Sequence, residues 1–176
     1  MSNLVGTLFG DELLWSLPGR FLKRYPSVSN RGLKDAFGGV SFPTGKAFPN
    51  KLAAISRALT GASARSPHAL ALNHTFLPFA LPLVTKTEAD RLTASMLSDR
   101  KNSHPHYLAW SQGQEWLHIC PRCVDDDIEE FATPYWHRLH QAPFLRICHK
   151  HRTPLSRTTV SWKDCNALTT VTEAAL

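Results

Sequence analysis

Apolar positions recur at helical spacing over residues 11–24 and predict a first helix. Asp11 and Glu12 suit its start, because carboxylates are favoured at the N-terminal end of a helix. Pro18-Gly19 interrupts the apolar pattern. The helix therefore either kinks at this proline or begins later in the chain.

Two short helices are predicted in the next forty or so residues. Ser27 or Ser29 caps one, and Gly38-Gly39 end it. Phe48-Pro49 opens the other, which carries apolar residues on one face. Two short helices with a turn between them are compatible with a helix-turn-helix, which reads DNA, and equally with any small helical bundle.

The prolines and capping signals continue the helical pattern. Ser66-Pro67 predicts another short helix, and Thr85-Lys-Thr-Glu88 is a capping box that predicts a longer one. Residues 73–83 contain two prolines, so we expect an extended, buried connector there. Residues 102–106 break the pattern and predict a boundary between two parts of the chain.

The pattern changes from Glu115 onward. Residues 116–119 and 144–147 predict short strands, each leading into a cysteine-containing turn. Asp125-Asp-Asp127 suits a helix start after Cys123, and we interpret these carboxylates as a solvated acidic surface. The expected fold is α-rich α+β. A helical part with helix-turn-helix character spans residues 1–103, and a small zinc-ribbon-like module spans residues 104–176.

Positive charge is concentrated in the first third of the chain. Of 176 residues with a net charge of +6, residues 1–65 hold nine Lys and Arg and three Asp and Glu, whereas residues 66–176 hold eleven of each. A localised basic excess indicates either contact with nucleic acid phosphates or a solvated basic surface. The candidate phosphate contacts are Lys23, Arg24, Arg31, Lys34, Lys46, Lys51 and Arg57.

The chemistry of the second part lies in two pairs of metal ligands. Cys120-Pro-Arg-Cys123 is followed by Cys148-His-Lys-His151, and each pair is separated by two residues. Two such turns close a tetrahedron around Zn²⁺. His149 competes with His151, but the spacing favours His151. Four protein ligands leave no open position, so we expect one structural zinc ion and no catalytic metal.

The remaining features indicate a reducing compartment. The N-terminus has neither a basic segment nor a long apolar segment of the kind that a signal peptide needs. The apolar run at residues 76–84 is too short to span a membrane. Cys165 is left over, and we interpret it as a small buried residue or a free thiol.

The second part of the chain contains four motifs in a fixed order: Cys120-Pro-Arg-Cys123, Tyr135-Trp136, His140-Gln-Ala-Pro143, and Cys148-His-Lys-His151 with Leu155. Together they resemble the motifs of the TniQ/TnsD family of transposon target-selection proteins. The opening Gly10-Asp-Glu-Leu-Leu-Trp-Ser16 is similar to the family's N-terminal motif. Residues 48–54 and 74–79 resemble the TnsD branch in particular.

The resemblance implies a bacterial, cytoplasmic, nucleoid-associated adaptor. It would recognise a target and recruit an AAA+ ATPase regulator of the TnsC type, which brings in other transposition proteins. Recognition in this family uses double-stranded target DNA directly or a CRISPR effector complex, and the TnsD-like features favour DNA. TnsD-type proteins are much longer, so we expect this chain to be an N-terminal fragment or a short member.

The sequence favours a protein that is not an enzyme. It has no Walker motif and no Gly-rich phosphate loop, so ATP hydrolysis would belong to the partner. A nuclease would need a general base and a metal-holding acid in one cleft, and His140 with its neighbours does not supply that set. The main alternative is a stand-alone DNA-binding transcription regulator, and a less favoured one is a zinc-framed nuclease.

Overall fold

The fold is helix-rich with one small sheet. The computed structural model describes residues 7–42, 47–59, 66–99, 115–162 and 171. Within these ranges it contains α1 Ser16–Arg24, α2 Asn30–Ala36, α3 Leu52–Ala58, α4 Pro67–His74, α5 Leu77–Ala80, α6 Lys86–Leu97, α7 Pro121–Phe131, and strands β1 Trp116–Ile119 and β2 Ser156–Ser161. None of these helices is long and apolar enough to cross a bilayer.

The first helix begins later than the acidic residues before it. α1 starts at Ser16, and Asp11 precedes it with a left-handed φ of 56°. Pro18 therefore lies in the first turn, where backbone N–H groups need no intrahelical partner. A helix start at Asp11 is wrong, and the alternative prediction of a later start is confirmed.

Local capping explains the next helices. Ser29 caps α2 by accepting a hydrogen bond from the Gly32 N–H (3.1 Å), and the helix is followed by Gly38 and Gly39 at φ of 61° and 81°. These positive φ values favour glycine, as expected from the sequence. α3 begins at Leu52, slightly later than the prediction from Phe48-Pro49.

The capping box is confirmed and the extended connector is wrong. Thr85 and Glu88 make both reciprocal bonds of the box at the start of α6. Residues 77–83 form α5 followed by a 3₁₀ turn, Leu81–Leu83, instead of an extended segment. Pro78 and Pro82 occupy the first turns of these two elements, so neither proline removes a helical hydrogen bond.

The second part differs from expectation at both cysteine turns. α7 begins at Pro121, so Cys123 is already helical and the three aspartates lie inside the helix. Residues 144–147 are not a strand, and Ile147 makes only an isolated bridge to Pro154. The strand that pairs antiparallel with β1 is β2, which the sequence did not predict.

One apolar core joins residues from both predicted parts. Trp15 lies 6.0 Å from Trp136 and 5.8 Å from Trp162, measured between ring centroids. The Leu13 N–H donates to the Trp136 carbonyl (2.9 Å), and the Trp136 N–H donates to the Ser16 hydroxyl (3.1 Å). The predicted boundary at 103/104 lies outside the described residues. The two-part division and the helix-turn-helix character stay predictions.

Candidate metal centre

The first cysteine turn is built at the start of a helix. Cys120 follows β1 and immediately precedes α7, and Pro121 occupies the first turn, where its missing N–H costs nothing. The Val124 N–H donates to the Cys120 carbonyl (3.1 Å). This hydrogen-bonded turn brings the side chains of Cys120 and Cys123 to one side.

The second cysteine turn is closed by its own backbone. The Cys148 N–H donates to the Thr153 carbonyl (2.8 Å), and the Arg152 N–H donates to the Cys148 carbonyl (2.9 Å). Arg152 has a left-handed φ of 56°, which reverses the chain. The His151 N–H also lies 3.4 Å from the Cys148 sulfur. The turn thus presents Cys148 and His151 in the same direction.

The two turns bring four ligand atoms together. The His151 Nδ1 lies 3.3 Å, 3.5 Å and 3.7 Å from the sulfurs of Cys123, Cys120 and Cys148. A tetrahedral zinc site implies edges of about 3.6 Å between sulfur and nitrogen. All four ligand atoms lie within 4.8 Å of one another, and the three cysteines form no disulfide. The residues can therefore hold one metal ion, while the exposed His149 is not part of the group.

The charges of the thiols favour a bound cation. Burial raises the pKa of Cys120, but hydrogen bonds, chiefly with Thr153, outweigh burial and lower the pKa to about 6. Burial and the neighbouring Cys148 raise the pKa of Cys123 well above its usual range. A Cys120 thiolate raises the pKa of Cys123 further, and a cation bound between the two sulfurs would relieve that repulsion. Thiolates and an imidazole suit a soft or borderline metal.

A carboxylate orients the histidine ligand. The Asp126 Oδ2 lies 3.0 Å from the His151 Nε2, on the ring nitrogen opposite the one that faces the sulfurs. Lys150 pairs with the same oxygen, and its hydrogen bond lowers the pKa of Asp126. A carboxylate in this position holds the imidazole tautomer in which Nδ1 is free to bind metal. Interpreting Asp126 only as part of a solvated acidic surface missed this contact.

A second aspartate of α7, Asp127, binds the neighbouring His137. The buried Asp127 accepts from the His137 Nε2 (2.9 Å), and the His137 ring stacks on Tyr135 at 4.2 Å between centroids. The His140 Nε2 lies 3.8 Å from the Cys123 sulfur, and burial lowers the pKa of His140 to about 3. His140 is therefore neutral at physiological pH. Asp126 and Asp127 follow Cys123 by three and four residues, which places them on the same helix face as this ligand. That spacing could have predicted that both aspartates lie near the metal-ligand group.

Gln141 completes the hydrogen bonding of β1. Its side chain accepts from the His118 N–H (2.8 Å) and donates to the His118 carbonyl (2.6 Å) and the His137 carbonyl (3.2 Å). Gln141 is only 1% exposed, so these backbone groups have little access to water as a substitute.

The acidic pair before α1 holds the N-terminal segment to the rest of the molecule. The fully buried Glu12 binds the Arg20 guanidinium through both carboxylate oxygens at 2.7 Å. Asp11 accepts from the Arg138 Nε (3.0 Å) and from the Leu139 N–H (2.9 Å). These contacts explain why two adjacent carboxylates follow Gly10 in the opening motif.

A comparison with protein-family models shows which family the chain belongs to. The family model named TniQ matches residues 7–155. The chain belongs to the TniQ family. The matched region includes the Glu12–Arg20 pair, all four residues of the metal-ligand group and Gln141. A search of the curated proteins finds no match. Within the family, the TnsD branch stays a prediction.

The described candidate phosphate contacts of this TniQ chain lie on α1, α2 and α3 or at their ends. The six described candidates are all exposed: Lys23 and Arg24 in α1, Arg31 and Lys34 in α2, and Lys51 and Arg57 at α3. Arg57 pairs with the exposed Asp99 (2.8 Å). Lys46, the seventh candidate, and Cys165 lie outside the described residues.

Proposed function

We propose that this protein is a target-selection adaptor in DNA transposition. Membership of the TniQ family, over residues 7–155, is the observation that carries the proposal. In this role the protein binds target DNA and recruits a TnsC-type AAA+ ATPase, and it catalyses no reaction itself. The TnsD-like motifs favour direct recognition of double-stranded DNA over a CRISPR effector complex.

The metal in this proposal is one structural Zn²⁺ held by Cys120, Cys123, Cys148 and His151. Three cysteine sulfurs and one imidazole nitrogen lie within 4.8 Å of one another, and four protein ligands with no open position are typical of structural zinc. Such sites supply about 10–16 kcal/mol of apparent binding free energy in small peptides, which is comparable with the stability of a whole domain. We therefore expect zinc to hold both cysteine turns in place.

Elemental analysis tests the zinc assignment. The Cys120→Ala protein should lose the ion and unfold around the two turns, as seen in its circular dichroism. The matched control is His149→Ala, which removes an exposed histidine outside the ligand group and should retain one zinc per chain. Wild-type zinc content in Cys120→Ala would refute the ligand set.

DNA binding in this proposal uses exposed basic residues of α2 and α3. These two short helices would act as a helix-turn-helix, with Arg31, Lys34 and Lys51 on phosphates. Each neutralised phosphate lowers log K by about 0.9 per log unit of salt. Affinity for a duplex should therefore fall steeply between low and physiological salt, and a flat response would contradict phosphate contacts.

Recruitment of the ATPase is tested separately from DNA binding. We expect a TnsC-type ATPase to be retained by the immobilised protein, both with and without DNA. Lys51→Glu combined with Arg57→Glu distinguishes the two roles, because loss of DNA binding with retained ATPase binding assigns these residues to DNA. No retention of the ATPase under either condition would contradict the adaptor function.

A further inference from the structure

A cleft beside the first helix is lined by two of the candidate phosphate contacts, Lys23 and Arg24, which the proposed helix-turn-helix of α2 and α3 does not use. It lies between the C-terminal ends of α1 and α7 and has a volume of about 530 Å³. The residues that matter for its chemistry are Phe9, Arg20, Lys23, Arg24, Tyr25 and Phe131. We call it the basic-aromatic cleft. Its volume is in the range of pockets that bind small molecules or short peptide segments.

Arg20 is a pre-organised donor at this cleft. Its side chain is only 9% exposed, its Nε and Nη2 donate to Glu12, and Nη2 also donates to the Thr7 carbonyl (2.8 Å). The guanidinium lies 4.0 Å from the centroid of the Phe9 ring. Its Nη1 makes no hydrogen bond to any described residue and is not among the enclosed polar atoms. Because these contacts already fix the Arg20 side chain, which lines the cleft, Nη1 can donate to a ligand at little further entropic cost.

The charge of the cleft is positive at its rim. Its described lining contains Arg20, Lys23 and Arg24 and no carboxylate. Glu12 is buried and balances the charge of Arg20, so the remaining formal charge of the described lining is that of Lys23 and Arg24, at the end of α1. An anionic group is the complementary ligand.

The remaining surface of the cleft is aromatic. The Phe9 and Phe131 rings stack at 4.1 Å between centroids, and the Arg24 guanidinium lies 6.0 Å from the Tyr25 ring centroid. Phe9, Tyr25 and Phe131 are each partly exposed, so an apolar side chain can pack against them. A ligand that fits therefore carries a carboxylate beside an aromatic or aliphatic group.

We propose that the basic-aromatic cleft binds a short acidic peptide segment of a partner protein, with an apolar side chain against the rings and a carboxylate on Arg20. Arginine clusters recognise acidic motifs in this way. A peptide is favoured over DNA, because the phosphates of a rigid duplex do not reach a recessed guanidinium that is only 9% exposed. The inference stands on the cleft alone and does not depend on a role in transposition.

Selection from a random peptide library tests the proposal without assuming a partner. Phage-displayed random heptapeptides selected on the immobilised wild-type protein should be enriched in Asp or Glu next to Phe, Tyr, Leu or Ile. The most enriched peptide, labelled with fluorescein, is then titrated by anisotropy. Lys23→Glu and Arg24→Glu should each weaken its binding by about tenfold or more, because a rim cation becomes an anion.

Lys86→Glu is the matched control. It makes the same charge change at an exposed lysine of α6 that does not line the cleft, so we expect less than a twofold change. The proposal is overturned if no peptide is enriched, if enriched peptides lack carboxylates, or if Lys23→Glu behaves like Lys86→Glu. A dT oligonucleotide provides the alternative test. If it displaces the peptide, and if its own binding is lost in Lys23→Glu, the cleft binds nucleic acid and not a peptide.

Discussion

The buried Glu12–Arg20 pair offers a sharp test of how the N-terminal segment is held. Glu12 is 0% exposed and accepts three hydrogen bonds, from the Phe9 N–H (2.9 Å) and from Arg20 Nε and Nη2 (2.7 Å each). Glu12→Gln keeps the shape of the side chain but removes its charge. It also replaces one acceptor oxygen with an NH₂ group that faces an N–H donor.

The expected cost of Glu12→Gln follows from the burial of both partners. The Arg20 side chain is 9% exposed, so solvent screens the pair little, and its charge would remain in place without a counter-ion. Removing one partner of such a pair costs about 3–5 kcal/mol. Since native stabilities are about 5–15 kcal/mol, the variant should lose a large share of its free energy of unfolding.

A double-mutant cycle separates the pair from its surroundings. Urea unfolding, followed by tryptophan fluorescence at a fixed zinc concentration, gives the free energy of unfolding of Glu12→Gln, Arg20→Met and the double variant. The double variant should cost clearly less than the sum of the singles, because neither charge is left buried alone. The control is Asp99→Asn, which breaks the exposed Arg57–Asp99 pair and should cost no more than about 1 kcal/mol. Equal losses for Glu12→Gln and Asp99→Asn would refute the reasoning.

Three further variants test the metal centre and its surroundings. Asp126→Asn removes the carboxylate that faces His151, so zinc affinity, measured by competition with a coloured chelator, should fall by about 10–100-fold. Gln141→Ala leaves the N–H and C=O of one β1 residue without partners, so the free energy of unfolding in urea should fall by about 2–4 kcal/mol. Burial raises the pKa of Tyr135 above its ordinary value of 10, so the folded state keeps a proton that the unfolded chain releases. Above that pH, stability relative to Tyr135→Phe should therefore fall by about 1.4 kcal/mol per pH unit.

For each of these variants, one outcome would contradict the prediction. Asp125→Asn changes an exposed neighbour and should leave zinc affinity unchanged, so equal affinities for it and Asp126→Asn would remove the orienting role. Wild-type stability of Gln141→Ala would mean that water replaces the amide. Parallel pH curves for wild type and Tyr135→Phe would place the Tyr135 hydroxyl in solvent.

The predictions from the sequence are confirmed where a structural feature depends on residues close together in the chain. Ser29, Thr85 with Glu88, and Gly38-Gly39 act within a few residues of themselves, so their sequence spacing is sufficient to place helix ends. The two ligand pairs are local in the same sense, since each lies in a single turn. Local sequence is not sufficient at residues 77–83. A proline is equally acceptable in the first turn of a helix and in an extended segment, so the prolines alone do not distinguish the two.

Contacts between distant segments required the tertiary structure. β2 carries no strong apolar alternation and exists as a strand because it pairs with β1, about forty residues earlier in the chain. The sequence predicts a solvated Asp126, because His151 is distant in the chain, and it predicts Glu12 at a helix start, because no local pattern marks Arg20 as its partner. The basic-aromatic cleft likewise forms only where α1 meets the end of α7.

The sequence by itself determined which residues can cap, turn and ligate, because those properties depend on side-chain chemistry and short spacing. It determined the family and the metal-ligand group for the same reason. The tertiary structure decided which charges are paired, which histidine nitrogen faces the sulfurs and which aromatic rings line a cleft. Those outcomes depend on which surfaces the core brings together, and short-range spacing carries no information about that.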